Sequence, residues 1–195
     1  MSVAPRLRLS PDEFLAWELR QEERHEYHRG EVFAMAGGTE RHARLITNAL
    51  LTLSAALDGR DCVVYTDALG LRVEAEDLFT YPDLSVVCGE ARFYDAKRTR
   101  LLNPTALIEV LSPSTAEYDR TTKARFYRQI PELRAYVLIS QDARAVDVLT
   151  RAGEGWHLDT ERDGRVEIGP LDVTLDRAAT PPPPWRRGES VSGPG

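Results

Sequence analysis

Two carboxylates, Asp83 and Glu109, each interrupt a short apolar run of the sequence. The first lies in the run 81–87 and the second in the run 106–111, and both runs have the length and composition of β-strands. Successive side chains of a strand point to opposite faces, so each carboxylate points away from the apolar residues beside it. If the two runs pair in one sheet, Asp83 and Glu109 lie side by side on the same face.

A pair of carboxylates in this apolar setting requires a cation. Burying a charge is costly unless the charge is paired or bound to a metal, and two neighbouring carboxylates repel each other. The sequence supplies one cation in Lys123, which follows the second run, and a divalent metal is the other candidate. Lys123 and a metal are therefore both expected near Asp83 and Glu109.

Carboxylates combined with a lysine suit the hydrolysis of a phosphodiester bond. Mg²⁺ prefers oxygen ligands, and a bound ion polarises the phosphate and lowers the pKa of a bound water. A nearby lysine orients that water or stabilises the negative charge of the transition state. The residue types thus predict a metal-dependent hydrolytic site formed by Asp83, Glu109 and Lys123.

Each of these residues also has a structural interpretation. Asp83 can cap a backbone group in the turn after Pro82, and Glu109 can form a buried salt bridge with Lys123. Lys123 can instead pair with Asp119, one helical turn earlier.

Two further residues are candidates for the same site. Glu31 is expected to complete the metal site and His42 to lie at its edge. Alternatively, Glu31 is the outward residue of an edge strand, and His42 is a capping or solvated residue at the start of a helix.

The elements that position these residues alternate between helices and strands. Helices are predicted from Ser10 to about Arg20, from Thr39 to about Leu57, and from Glu117 to Gln129. A hairpin precedes the second helix, and strands and further hairpins fill most of the rest. This order predicts an α/β fold, a mixed sheet flanked by helices, with an additional N-terminal helix and hairpin and C-terminal β-hairpins.

Length and composition favour one soluble domain. The chain has 195 residues, of which 42% are hydrophobic and 29% charged, and no apolar run approaches the roughly 20 residues that cross a bilayer. We expect a single domain over residues 1–177 and a disordered Pro/Gly-rich tail over 178–195. The only cysteines, Cys62 and Cys88, lack a metal-binding spacing, so a reduced, cytoplasmic setting is expected, with no membrane association.

Charge limits how the protein contacts nucleic acid. The net charge of −6 argues against a surface coated in nucleic acid, because phosphate contacts need basic residues. The most basic window interleaves four cations with two aromatic residues: Arg92, Phe93, Tyr94, Lys97, Arg98 and Arg100. This window is a candidate DNA contact, or else an ordinary solvated surface.

Most of the chain also resembles a known family. Residues 10–150 are similar to the PD-(D/E)XK nuclease superfamily, and specifically to its Uma-type, restriction-endonuclease-like family. The matching residues are Gly30, Glu31, Val32, Met35, Ala36, His42, Tyr81, Pro82, Asp83, Asn103, Pro104, Ile108 to Thr115, Asp119, Arg120, Lys123 and Tyr127.

The resemblance implies both a fold and an activity. It implies a restriction-endonuclease-like fold and a Mg²⁺-dependent endonuclease, with Mn²⁺ as a substitute and DNA as the favoured substrate. Asp83, Glu109 and the backbone carbonyl of Val110 would bind the metal, and Lys123 would position the attacking water. A homodimer is expected by analogy, because two-fold symmetry suits the cutting of both strands of a duplex.

One departure from the superfamily pattern keeps other functions open. A Glu-x-Lys motif would place lysine at position 111, where this chain has Leu111, and the Uma-type pattern resembles a lysine moved to the next helix, at Lys123. Together with the acidic net charge, this departure leaves open a catalytically inactive binding or assembly module. A third interpretation is a small-molecule hydrolase with two carboxylates as acid and base, which would require a closed apolar pocket.

Overall fold

The structure is a computed structural model that describes residues 8–35, 37–143, 145–162 and 165–176. The tail predicted over 178–195 lies outside these described residues. The helices are α1 (Pro11–Glu18), α2 (Glu40–Ala56), α3 (Ala116–Tyr118) and α4 (Ala124–Tyr127), and a π-helical turn, Asp119–Lys123, joins the last two. The strands are β1 (His25–His28), β2 (Glu31–Ala34), β3 (Cys62–Thr66), β4 (Gly70–Val73), β5 (Leu78–Thr80), β6 (Leu84–Cys88), β7 (Arg100–Leu101), β8 (Ala106–Leu111), β9 (Ala135–Ser140), β10 (Val146–Ala152), β11 (Gly155–Glu161), β12 (Arg165–Ile168) and β13 (Val173–Asp176).

A six-stranded mixed sheet forms the centre of the fold. Its strand order is β11-β10-β9-β8-β6-β3, with β8 and β9 parallel and the other neighbouring pairs antiparallel. One face packs against α2 and the hairpin of β12 and β13 through a continuous apolar cluster. The predicted mixed sheet with flanking helices is therefore confirmed.

A second sheet covers the opposite face. It has five strands in the order β2-β1-β5-β4-β7, so it includes the N-terminal hairpin. Apolar residues of this sheet, of α4 and of the central sheet form one buried cluster. On its outer side, the second sheet is covered by α1, where the ring of Phe14 lies 5.1 Å from that of Tyr27 and 5.4 Å from that of Phe79.

The predicted helix starts are observed with their capping groups. Ser10 and Glu13 form a reciprocal capping box at the start of α1, with Pro11 at the first helical position. The Thr39 hydroxyl accepts a hydrogen bond from the backbone N–H of His42 and begins α2. These local signals fix where α2 starts, and hence where His42 lies relative to the central sheet.

The pairing of β6 with β8 brings the two predicted carboxylates together. Leu84 lies opposite Ile108 in this antiparallel pair, so the residues next to them, Asp83 and Glu109, also face each other. Leu84, Ile108 and Val110 pack toward α2, whereas Glu109 points to the other face of the sheet. The alternation in the sequence predicted this arrangement.

Three other features differ from, or refine, the sequence prediction. Cys62 and Cys88 lie opposite each other on β3 and β6 and form a disulfide, so the expectation of reduced thiols is wrong. The last two strands, β12 and β13, pair with each other as a separate two-stranded sheet, which refines the predicted C-terminal β-hairpins. Within the described ranges, no helix is both long and apolar enough to span a bilayer.

Candidate active site

The backbone of the paired strands binds the two carboxylates at the end of β6. The backbone N–H of Val110 donates a hydrogen bond of 2.6 Å to Asp83 Oδ2, and the backbone N–H of Asp83 lies 3.4 Å from Glu109 Oε2. Each carboxylate is thereby oriented by the strand that carries the other. The structural interpretation of Asp83 as a backbone cap is also realised, because one of its oxygens accepts the Val110 N–H.

Lys123 approaches the same carboxylates from the helical segment that covers the sheet. It is 7% exposed, and its Nζ lies 3.2 Å from Glu109 Oε1 and 3.6 Å from Asp119 Oδ1. Both Asp119 and Lys123 belong to the π-helical turn, a rare distortion that is frequent at functional sites. The sequence predicted the helix and its lysine, but it carries no signal for the π turn.

A third carboxylate, Glu26 on β1, completes the surroundings of the lysine. Its Oε1 lies 3.2 Å from Lys123 Nζ and accepts a short hydrogen bond from the Thr80 hydroxyl. Glu26 was not predicted from the sequence, because its contact with Lys123 depends on the pairing of β1 with β5. A signal was present in the alternation across Glu26, Tyr27 and His28, in which the buried Tyr27 puts its neighbours on the opposite face.

The cluster contains more negative than positive charge, and the pKa values respond to this imbalance. Burial raises the pKa of Glu109 to about 8; the Lys123 ammonium opposes the rise, and the carboxylates of Asp83 and Asp119 add to it. Burial alone would lower the pKa of Lys123, but the carboxylates, Glu109 foremost, raise it well above its ordinary value. One lysine cannot neutralise so many carboxylates. The ammonium therefore keeps its proton, and Glu109 takes one up near neutral pH.

Tyr127 fixes the orientation of the Glu109 carboxyl group. Its buried hydroxyl donates a hydrogen bond of 2.9 Å to Glu109 Oε1, the oxygen that Lys123 also contacts. Oε2 is left facing Asp83. Tyr127 and Lys123 thus hold one oxygen of Glu109, and the other lies near the backbone N–H of Asp83.

His42 reaches the other side of this strand pair from the first turn of α2. Its Nε2 lies 3.0 Å from the carbonyl oxygen of Val110 and 3.4 Å from Asp83 Oδ2. The hydrogen bond to Asp83 is the main cause of a raised pKa of His42, and burial opposes the rise. The expected position at the edge of the site is observed.

Glu31, which was expected to complete the metal site, lies away from the cluster. Glu31 is exposed on β2, opposite His28, and among the described contacts none joins it to Asp83 or Glu109. Glu26, on the neighbouring strand, is the acidic residue of this hairpin that contacts Lys123.

The basic window is partly engaged within the fold. Arg92 forms a short ion pair with Glu132, Arg98 lies over the Phe93 ring, and Arg100 is buried against Tyr81. Arg92, Lys97 and Arg98 are nonetheless exposed, and among the cations of this window Arg100 is the buried one. The window therefore still presents three basic side chains on the surface.

The oxygen donors at the end of the strands fit a hard divalent cation. Mg²⁺ is commonly held by one or two carboxylates, with waters and substrate oxygens completing its shell. Asp83, Glu109 and the Val110 carbonyl provide such a set, and a cation would offset the excess negative charge. Among the described residues, no group of three His, Cys, Asp or Glu side chains is spaced to hold a metal. An ion here would therefore rest on two carboxylates and the backbone carbonyl.

A cavity of about 290 Å³ lies elsewhere, lined by residues that include Val73, Leu102, Ile130 and Pro131. None of the residues that line it belongs to the carboxylate–lysine cluster. Its lining also includes charged residues such as Arg72, Glu74 and Glu132, so it is not the closed apolar pocket that a small-molecule hydrolase would need. That interpretation stays a prediction.

The arrangement of sheets and helices defines an α/β protein with a restriction-endonuclease-like fold. A structure described as a "putative nuclease belonging to DUF820" from Anabaena variabilis superimposes with a TM-score of 0.68 at 20% identity, covering 87% of this chain and 95% of that one. At this identity the likeness concerns the fold alone.

Sequence comparison gives the family. The chain belongs to the Uma2 family, described as "Putative restriction endonuclease", whose sequence profile matches residues 11–178. Two uncharacterized proteins of Synechocystis sp. are similar to it. The protein slr1290 is 37% identical over 175 residues (88% of this chain, 90% of the relative), and sll1609 is 32% identical over 164 residues (84% and 93%).

Proposed function

We propose that the protein is a metal-dependent endonuclease that hydrolyses phosphodiester bonds, with DNA as the favoured substrate and Mg²⁺ or Mn²⁺ as the ion. The observation that carries this proposal is the convergence of Asp83, Glu109 and the buried Lys123, which come from two strands and a helix. Membership of the family agrees with it.

Each residue has a distinct role in the proposed reaction. Asp83, Glu109 and the Val110 carbonyl would hold the ion, which polarises the phosphate and makes a bound water more acidic. Lys123, kept protonated by its carboxylate neighbours, orients the attacking water or stabilises the negative charge on the phosphate oxygens. Glu26, on β1, also holds the ammonium in place, at 3.2 Å.

A cleavage assay tests the proposal. Single- and double-stranded DNA are incubated with Mg²⁺ or Mn²⁺ and the wild type, the Asp83→Ala variant or the Glu31→Gln variant. We expect cutting by the wild type and by Glu31→Gln, because Glu31 lies outside the cluster, and none by Asp83→Ala. Equal cutting by Asp83→Ala would show that the activity belongs to a contaminant or to another site.

A non-catalytic binding or assembly module is the second candidate. Leu111 replaces the lysine of the superfamily pattern, and Lys123 is enclosed by Glu26, Glu109 and Asp119 in a manner that also suits a structural ion-pair cluster. A Mn²⁺ titration separates the two candidates, because a module of this kind need not bind the ion at Asp83 and Glu109. Homodimer formation stays a prediction, which light scattering in solution would test.

A further inference from the structure

Glu18 ends α1, a position at which the helix dipole disfavours a negative charge. It is nonetheless only 9% exposed, and both carboxylate oxygens are engaged. Oε1 accepts hydrogen bonds from the Tyr81 hydroxyl at 3.0 Å and from the backbone N–H of His25 at 2.9 Å, and Oε2 lies 3.1 Å from His25 Nδ1. The Glu18 carboxylate therefore stabilises contacts between α1 and other parts of the fold rather than the helix itself.

The Tyr81 side chain has partners at its hydroxyl group and next to its ring. Its hydroxyl donates to Glu18 and accepts a hydrogen bond of 2.8 Å from Arg100 Nη2. The guanidinium carbons of Arg100 and Arg24 lie 5.0 and 5.5 Å from the centre of its ring. Arg100 packs so closely on Gly70 that a Cβ there would meet its Cδ at 2.7 Å. The chain at Tyr81 is thus anchored to both α1 and β7.

The two partners of Glu18 are immediate neighbours of the site. His25 precedes Glu26, whose carboxylate contacts Lys123. Tyr81 stands two residues before Asp83 in the sequence. Glu18 therefore connects, through one carboxylate, the segment that carries Glu26 and the segment that carries Asp83.

We propose that Glu18 is a positioning residue. Through Tyr81 and His25 it fixes the placement of Asp83 relative to Glu26, and with it the geometry of the proposed metal and lysine site. The inference rests on the proposed function and names a residue through which that site is held in shape. We call this set of three residues, Glu18, Tyr81 and His25, the Tyr81 clamp.

A purely structural clamp would anchor α1 and affect stability alone. A positioning clamp also changes the affinity for metal of molecules that are fully folded. Partners bonded directly to metal ligands are typically worth about 10–100-fold in metal affinity, and Glu18 acts one step further out. Mn²⁺ affinity, measured by titration with electron paramagnetic resonance detection under conditions where each variant is folded, separates these two roles.

The test compares three clamp variants with a matched control. Tyr81→Phe and Glu18→Ala break the hydroxyl–carboxylate link, whereas Glu18→Gln keeps an oxygen that can accept from both Tyr81 and His25. Val166→Ala removes buried side-chain volume from β12, outside the clamp, and controls for lost stability. Urea unfolding calibrates the stability of all four variants. Hydrogen exchange of the metal-free proteins reports whether residues 25–27 and 80–84 loosen together.

We expect Tyr81→Phe and Glu18→Ala to bind Mn²⁺ about 10-fold more weakly than the wild type, the lower end of what the loss of a direct outer partner costs. Glu18→Gln and Val166→Ala should stay within about threefold, and exchange should rise at both segments in Tyr81→Phe. Wild-type Mn²⁺ affinity in all variants would overturn the positioning role and leave the proposed function intact. Absence of Mn²⁺ binding by the wild type would overturn both together.

Discussion

Replacing Glu109 with glutamine should make the metal-free protein more stable at neutral pH while abolishing the proposed cleavage. The native pKa of Glu109 is raised from 4.5 to about 8, chiefly by burial. Between these two pH values the native protein binds a proton that the unfolded chain has released. The free energy of unfolding therefore falls as pH rises through this interval.

The size of the effect follows from the pKa. Each pH unit in this interval costs about 1.36 kcal/mol, so the loss between pH 4.5 and pH 7 amounts to about 3 kcal/mol. Glutamine keeps an oxygen for Lys123 and Tyr127, and weaker hydrogen bonds cost about 1 kcal/mol. The Glu109→Gln variant should thus be about 2 kcal/mol more stable than the wild type at pH 7, and no more stable near pH 4.5.

Urea unfolding at pH 5, 6, 7 and 8 in the presence of EDTA measures this difference. The wild type should lose stability with rising pH, and Glu109→Gln should show a much flatter profile. Glu31→Gln makes the same chemical change at an exposed residue and should stay within about 0.5 kcal/mol of the wild type.

A metal ion should reverse the order of stability. Mn²⁺ at a hundred times its dissociation constant should stabilise the wild type by about 2.7 kcal/mol and Glu109→Gln far less. The reasoning is refuted if Glu109→Gln is clearly less stable than the wild type at pH 7 in EDTA. That result would mean that Glu109 and Lys123 form a balanced buried salt bridge, without excess negative charge.

Two other substitutions, Lys123→Met and His42→Gln, test the charges of the site. Lys123→Met leaves Glu26, Glu109 and Asp119 without their ammonium, so we expect a loss of about 3–5 kcal/mol in urea unfolding at pH 7 and a fall in cleavage of about 10²–10³-fold; a neutral effect on both would argue against the cluster. His42→Gln tests the raised pKa of His42. The stability that His42 gains is fully present below pH 6.5 and is lost as pH rises through its higher native pKa. The difference in stability between the wild type and this variant should therefore shrink above pH 6.5, and a constant difference from pH 6 to 9 would contradict the assignment.

Local patterns in the sequence accounted for the central part of the site. The alternation around Glu109 and the short strand after Asp83 determine which face each carboxylate occupies, once the strands pair. The helix after β8 was equally visible from its apolar spacing, and it brings Lys123 to the same face. These features follow from apolar residues that recur every second residue in a strand or about every 3.6 residues in a helix. A sequence displays this recurrence directly.

The remaining features depend on long-range pairing. Glu26 meets Lys123 only because β1 pairs with β5, and Glu18 meets Tyr81 only because α1 packs across the second sheet. The disulfide of Cys62 and Cys88 follows from the register of β3 with β6, which a separation of 26 residues does not reveal. Glu31 and Glu26 are both acidic residues of one hairpin, and only its placement decides which of them reaches the site.

The most direct test of the central claim is the cleavage of supercoiled and single-stranded circular DNA with Mg²⁺ by the wild type and by Glu109→Gln, side by side. We expect the wild type to cut, and we expect the variant, although more stable in EDTA at pH 7, to be slower by at least about 10³-fold because the proposed metal support is lost. Equal cutting by both proteins, or no cutting by the wild type with either Mg²⁺ or Mn²⁺, would contradict the assignment of this cluster as a nuclease active site.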